Sequence, residues 1–371
     1  MTADARLRKK RSVKSRYGPA ILKPLLVLWK ISGHLCSKRL RVFIDQQLAV
    51  ISSYRQIEVS EKIYDDLMAI SPATIDRLLR SVKNKYRLKN RATTKPGTIL
   101  KHQIPIRTFT DWDENKVGFL EIDLVSHDGG SSDGEHCYTL NTTDVKSGWV
   151  EARAIKNKAQ KWAIEALAVI YDALPFKIKG LDSDNGSEFI NDHVKAFCDV
   201  RKITFTRSRP YRKNDSCYVE QKNYTIARQT VGWGRYEEDA LETMNELYRL
   251  VCLHANYYQP SMKLLSKERI GARVIKKYSK PQTPFERVML DDSVSKSEKE
   301  RIRDIQGQLN LVRLVQGIEK LKRELARKTK KVPVRGIKNI TLPRRELYNG
   351  ADDDILKNRP NIGRLSLNKD G

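Results

Sequence analysis

Three carboxylates crowd one short stretch of this chain. In LDSDNGSEF, residues 181–189, Asp182, Asp184 and Glu188 flank an Asn185-Gly186 pair, although the formal net charge of the whole chain is +26. Acids gathered in so basic a chain either decorate a polar turn or hold a cation. Two further segments carry acids at telling positions. In VGFLEIDLV, Leu120, Ile122 and Leu124 alternate with Glu121 and Asp123, so a strand puts the two acids on one face and the apolar residues on the other. An acid within an otherwise apolar strand is costly to bury unless something compensates it, and a metal ion is one such partner. In CYVEQKNYTIARQTV, Glu220, Asn223, Tyr224, Ala227 and Val231 recur at helical spacing, which places Glu220 at the start of a helix and on the face of Asn223. Each acid alone has an ordinary explanation: an Asx-turn for Asp184, a solvated helix acid for Glu220.

The elements that must position these residues follow from periodicity and punctuation. VGFLEIDLV, HCYTLNTTD and WVEARAI are short apolar or alternating runs separated by polar turns, the pattern of consecutive antiparallel strands. A helix is predicted from about Lys158 to Leu174, stopped by Pro175. It is followed by a strand KIKGLD, a helix around INDHVKAFCDV, a strand ITFT, a loop RSRPYRKNDS and the helix bearing Glu220. Three meandering strands and then alternating helices and strands describe a mixed α/β sheet covered by helices. Asp184 falls at the carboxyl end of KIKGLD, where ligand sites gather in such sheets, and Asn185-Gly186 suits a tight turn just beyond it.

With 371 residues the chain exceeds the size at which single cores usually divide. Four regions are expected: 1–107, 108–232, 233–330 and 331–371. The first holds 24 Lys and Arg against 7 Asp and Glu. Within it, PAILKPLLVLW and KRLRVFIDQQLAVI predict helices about a turn at Ser32-Gly33. In SEKIYDDLMAISPATIDRLLRSVK, Ser71 can cap a helix whose first position is Pro72. Ile75, Leu78 and Leu79 face inward there, and Arg77 and Arg80 face outward. Two short helices about a tight turn fit a helix-turn-helix, and equally a plain helical hairpin with a solvated basic face. Residues 81–107 carry many bases and no acid, as a phosphate-tracking linker would. Beyond residue 233 the chain reads as mainly helical. Leu311, Leu314, Val315, Ile318, Leu321 and Leu325 form a stripe suited either to self-association or to packing on its own chain. The last forty residues, rich in Lys, Arg, Asn and Gly, read as a flexible basic tail.

Charged residues at 31% and hydrophobic ones at 39% fit a globular protein with polar extensions. No apolar run reaches the ~20 residues needed to cross a bilayer. RLRKKRSVKSR has no apolar segment behind it, so a cytoplasmic location without a secretory signal is expected. Five scattered cysteines without a CxxC pair argue against disulfides and a zinc ribbon. The positive charge calls for a polyanionic partner. Nucleic acid fits best, since a membrane-surface protein would want a basic amphipathic helix with aromatic anchors, and none stands out.

Taken together, the "EID" strand, the "SDNGSEF" turn and the "YVEQKN" helix, with Glu220 placed 36 positions after Asp184, resemble the core of the DDE transposase and retroviral integrase superfamily. The intervening SRPYRKND is similar to the S-x-P-Y loop that precedes the glutamate in that group. TKPGTILKHQIPIRTF, FTRSRPYRKND and NYYQPSMKL further resemble bacterial insertion-sequence transposases. The resemblance implies a ribonuclease-H-like α/β core with Asp123, Asp184 and Glu220 as the catalytic and metal-binding triad. Asp182 and Glu188 then become neighbours that shape the turn. It implies two Mg²⁺ or Mn²⁺ ions, held by hard carboxylate oxygens, that activate an attacking oxygen and stabilise a leaving one. The reaction implied is cleavage at element ends followed by strand transfer of the 3′-OH into target DNA, carried out by a dimer or larger assembly in the bacterial nucleoid. No nucleotide cofactor is implied, and no GxxxxGK[ST] loop is found. Arg77 and Arg80 become candidates for end recognition, and Lys213, Lys222, Asn223 and Arg228 for DNA contacts beside the glutamate helix. The chain lacks the His/His/Cys/Cys zinc module of the retroviral enzymes. A DNA-binding regulator on a decayed scaffold, and a nuclease of the same fold without strand transfer, are the alternatives.

Overall fold

The computed structural model describes residues 17–57, 59–85, 116–183, 192–207 and 217–332. Asp184 and Lys213 lie outside the described residues, as do Glu188, the S-x-P-Y loop, most of the basic linker and the basic tail.

The chain begins with four helices: α1 (Leu22–Ile31), α2 (Ser37–Ser53), α3 (Glu61–Ala69) and α4 (Pro72–Lys85). Helix α2 shows why they cohere. Leu40, Phe43, Ile44, Leu48 and Ile51 recur at three- and four-residue steps and are fully buried. Ser60 caps α3 and Ser71 caps α4, where the Thr74 N–H donates to Ser71 Oγ at 3.2 Å. Ile75 and Leu79 of α4 are buried, while Arg77 and Arg80 are exposed. The α1–α2 turn requires glycine, because Gly33 has φ +75 and a Cβ there would run into the Gln259 side chain at 2.3 Å. Gln259 Nε2 in turn donates to the Ser32 carbonyl, and Gln46 Nε2 donates to Glu286 Oε1, so these helices pack against later parts of the chain.

The central element is a five-stranded sheet in the order β3-β2-β1-β4-β5. Strands β1 (Phe119–Ser126), β2 (Tyr138–Asp144) and β3 (Val150–Ile155) form an antiparallel meander, as their alternating patterns predict. After α5 (Gln160–Ala173), strand β4 (Gly180–Ser183) joins the other side of β1 in parallel. After α6 (Asp192–Val200), β5 (Thr204–Arg207) adds in parallel beyond it. The mixed sheet with helical crossovers is the architecture expected of an integrase-type core.

A helical run follows from Cys217 to Val231. It consists of α7 (Cys217–Lys222), a π-helical stretch (Asn223–Arg228) and α8 (Gln229–Val231). Helix α9 (Leu241–Tyr258) then covers the β3 edge in an unusual way. Asn245 exchanges both hydrogen bonds with the Ala154 backbone, at 2.8 and 3.1 Å, and Asn256 does the same with Val150, at 2.9 Å each. The outward N–H and C=O groups of the edge strand are thus met by two asparagines three helical turns apart, which closes an edge that would otherwise template strand pairing.

The remainder departs from the expected run of helices. A hairpin of β6 (Leu264–Ile270) and β7 (Arg273–Tyr278) intervenes before α10 (Pro284–Met289), α11 (Lys296–Gln308) and α12 (Leu311–Arg327). Along α12, Leu311, Leu314, Ile318 and Leu325 are buried. Gly317 sits so close to α9 that a Cβ would come within 2.9 Å of Leu250 Cδ1. The apolar stripe is therefore spent on packing within its own chain.

Candidate active site

Strand β1 occupies the middle of the sheet, and its outward acids face the helical run that starts at Cys217. Glu121 is buried, with 1% of its surface exposed. Its Oε2 accepts the backbone N–H groups of Tyr218 and Val219 at 2.9 and 3.0 Å, so a strand carboxylate caps the amino end of α7. Two orphan N–H groups and the positive end of the helix dipole make this a favourable place for a negative charge.

Asp123, two residues along on the same face and half-buried, meets the same helix one turn later. Asn223 Nδ2 donates to Asp123 Oδ2 at 2.5 Å, and the Leu124 N–H donates to Asp123 Oδ1 at 2.8 Å. An ionised carboxylate only accepts, which fixes the orientation of the Asn223 amide. Its Oδ1 is left to accept from Asn141 Nδ2 at 2.8 Å. Asn141 lies on β2 directly opposite Asp123 in the strand register. A short chain from β2 through Asn223 to Asp123 therefore ties strand and helix together.

Glu220 stands between these two grips. Val219 is held by Glu121, Asn223 is held by Asp123, and Glu220 is exposed on the intervening turn, on the side it shares with Asn223. The third expected acid, Asp184, is the residue after β4 ends at Ser183, and Ser183 pairs with Ile122, the neighbour of Asp123. Asp182 is not a turn residue. It is buried inside β4, where Thr206 Oγ1 of β5 donates to its Oδ1 at 2.7 Å.

The donor chemistry here fits a hard divalent cation. Asp123 and Glu220 offer carboxylate oxygens, the hard ligands such an ion favours. Among the described residues no group of three or more His, Cys, Asp or Glu forms a metal cage.

The other residues singled out in the sequence occupy different surroundings. The Arg228 guanidinium lies over the Trp233 ring at 4.1 Å and is half-buried. Lys222 is half-buried on the opposite side of the helix from Glu220. Burial, together with the nearby charges of Arg39, Lys263 and Arg287, pushes its ammonium down to about 7. Those neighbours are held by backbone carbonyls: Arg39 by Pro260, Lys263 by Val145 at 2.5 Å, and Arg287 by Ser147 at 3.0 Å. Tyr224 is exposed while Ala227 and Val231 are buried, so the expected apolar face does not run straight through the helix. The π-helical stretch inserts a residue and turns the register, a feature found often at functional sites. Glu121 and Asn141 were not singled out for the site. Only their strand parity marked them, and pairing Glu121 with a helix start needed the tertiary fold.

The profile of the family described as "Integrase core domain" matches residues 114–213, a stretch that includes Asp123 and Asp184 and stops short of Glu220. Uncharacterized protein y4rM of Sinorhizobium fredii (strain NBRC 101917 / NGR234) is 39% identical over 273 residues, covering 73% of this chain and 78% of that protein. The chain belongs to the DDE transposase and retroviral integrase superfamily. Among solved structures, the catalytic core domain of BIV integrase aligns at 18% identity with a TM-score of 0.31, covering 46% of this chain and 91% of that one. Members of this superfamily are generally polynucleotidyl transferases, and in this chain the described part of the integrase-type core is a five-stranded mixed sheet whose central strand grips the helix that follows β5.

Proposed function

We propose that this protein is a transposase that cleaves DNA at element ends and joins the freed 3′-OH to target DNA, with Asp123, Asp184 and Glu220 as its acidic triad. What carries this reading is the double grip of β1 on one helix: Glu121 on the N–H groups of Tyr218 and Val219, and Asp123 on Asn223, with Glu220 between them. A solvated helix acid would need no such fixture. Asp123 and Glu220 would hold Mg²⁺ or Mn²⁺ with Asp184. When bound, the metal supplies charge stabilisation at the attacking and leaving oxygens of an in-line displacement.

The chain's own residues do the positioning. Asn223 and the Leu124 N–H orient the Asp123 carboxylate, and Glu121 sets where the helix begins. Hydrolysis breaks the P–O3′ bond at the element end, with water supplying the new oxygen on phosphorus. The 3′-OH so released then attacks a target phosphodiester, forming one P–O bond as another breaks, so no external energy source is required. The α3–α4 pair, with Arg77 and Arg80 exposed on α4, would read the ends, and two copies would bring two ends together.

Purified protein incubated in Mg²⁺ with DNA carrying the sequences that flank its reading frame tests this. Nicking and strand transfer are expected, and both should vanish in Asp184→Asn and Glu220→Gln while DNA binding persists. Strand transfer by either variant would overturn the triad assignment, and hydrolysis without joining by the unaltered protein would make it a nuclease.

A further inference from the structure

The β6–β7 hairpin belongs to no larger sheet, and each of its strands packs chiefly on the other. Its turn is Gly271-Ala272, with Gly271 at φ +59 in open space, as a two-residue hairpin loop requires. A two-stranded ribbon is barely stable alone, and this one is secured at its root. Ser261 and Gln282 exchange backbone hydrogen bonds at 2.8 and 3.0 Å, the Ser279 N–H donates to the Lys263 carbonyl at 2.8 Å while the Lys263 N–H donates to Ser279 Oγ at 3.0 Å, and Arg287 Nη1 donates to Ser261 Oγ at 2.8 Å. The root also touches the active-site helix, since Lys263 Nζ lies 4.6 Å from the Tyr218 ring centroid and the Tyr218 N–H is held by Glu121.

Beyond that root the ribbon is exposed on both faces. Arg269, Arg273, Lys276 and Lys277 are exposed and form no ion pair among the described residues, and Glu268 is the one acid in either strand. Leu265, Ile270 and Val274 expose 69%, 63% and 43% of their surface. Apolar side chains left in solvent on an anchored, strongly basic ribbon call for a partner. The charge excludes most of them: a second copy would bring another basic ribbon from a chain of net charge +26, whereas a polyanion is attracted by all four bases. The shape is also suitable. Two strands about 5 Å apart and about 20 Å long fit the major groove, which is about 12 Å wide and admits a two-stranded ribbon.

We infer that the β6–β7 ribbon is a duplex-DNA arm that lies in the major groove, with Arg269, Arg273, Lys276 and Lys277 reaching the flanking phosphates. It rests on the DNA-joining function proposed above and adds to it a contact surface apart from the Asp123 carboxylate. The Lys263–Tyr218 contact at its root would pass the position of the bound duplex to the start of the helix that bears Glu220.

The test uses the full chain and a short fluorescent duplex of arbitrary sequence, titrated by anisotropy at several NaCl concentrations, with the triple variant Arg273→Ala/Lys276→Ala/Lys277→Ala beside the unaltered protein. The variant is expected to bind about tenfold or more weakly at low salt. Its plot of log affinity against log salt should be shallower by about 2 to 3, since each lost phosphate contact removes about 0.9. Its melting temperature should not change, because the substituted side chains are exposed and form no ion pair among the described residues. If the unaltered protein binds duplex and the variant matches it in affinity and slope, the ribbon proposal is overturned and the active-site reading stands. Failure of the unaltered protein to bind duplex at any salt concentration overturns both. A variant that keeps full DNA affinity but loses a dimer seen by light scattering assigns the ribbon to self-association and overturns the DNA arm.

Discussion

Replacing Glu121 by alanine removes the acceptor for two backbone N–H groups at the start of α7 while touching neither Asp123 nor Glu220 directly. Val219 is fully buried, so its N–H would be left without a partner. An unmet buried donor costs about 1–3 kcal/mol, and loss of a helix cap about 0.5–2 kcal/mol. These overlap, and a total of about 2–4 kcal/mol is expected in urea unfolding. Activity should suffer beyond stability. A shift of about 1 Å in a reacting group costs about 100-fold in rate, and Glu220 sits one residue from the freed backbone. Glu121→Ala should therefore lower strand transfer about 100-fold at a temperature where the variant is folded, with duplex affinity unchanged. Glu121→Gln keeps an amide oxygen that can accept both N–H groups and loses only the charge at the helix end, worth about 0.3–1 kcal/mol. It should keep activity within about fivefold, in line with that small energy. Wild-type turnover in the alanine variant would refute the positioning role. Equal damage from glutamine would mean that the charge itself takes part in the chemistry.

Asn223→Ala removes the amide that donates to Asp123 Oδ2 and leaves the Asn141 amide without that acceptor, so strand transfer should fall by tenfold or more, with about 1–2 kcal/mol lost in unfolding. Lys222→Met removes a cation held among Arg39, Lys263 and Arg287. The folded ammonium titrates at about 7, well below its ordinary value of 10.5, so the charge destabilises the fold at and below neutral pH and is relieved as pH rises from 7 towards 10.5. The methionine variant should be more stable by about 1–3 kcal/mol at pH 6, with the gain shrinking in alkaline melts; a gain that grows with pH would contradict this. Asp291 behaves in the opposite sense. Burial would raise its carboxyl, but Lys146 at 2.6 Å and the Ser293 N–H and hydroxyl outweigh that and hold it down to about 2. Its contribution is present above pH 3.8 and lost as pH falls towards 2. Asp291→Asn should therefore flatten the acid limb of the stability curve by about 1–2 kcal/mol.

The parity of β1 was legible without any fold, because a period of two is a local property of extended backbone: Glu121 and Asp123 had to share a face. The helical start at Glu220 followed from spacing in the same way, as did the buried faces of α4 and α12. Local period could not tell which face meets which. That Glu121 closes the end of α7 some hundred residues away depends on β1 lying at the centre of the sheet beneath that helix. The asparagines of α9 read as ordinary polar helix positions until the β3 edge comes to lie against them. The hairpin at 264–278 escaped notice because its alternation is written in lysine and arginine, and Gly271-Ala272 is its one turn signal. The π-helical stretch is likewise a tertiary product. A seated amino end and a seated Asn223 set the register at one side, buried Ile226 and Ala227 set it at the other, and the spare residue goes into the backbone between. Sequence alone determined which side chains could do chemistry. That Asp123 meets the helix bearing Glu220 was decided by long-range pairing, because the energies that bring β1 and that helix together are not carried by any one segment.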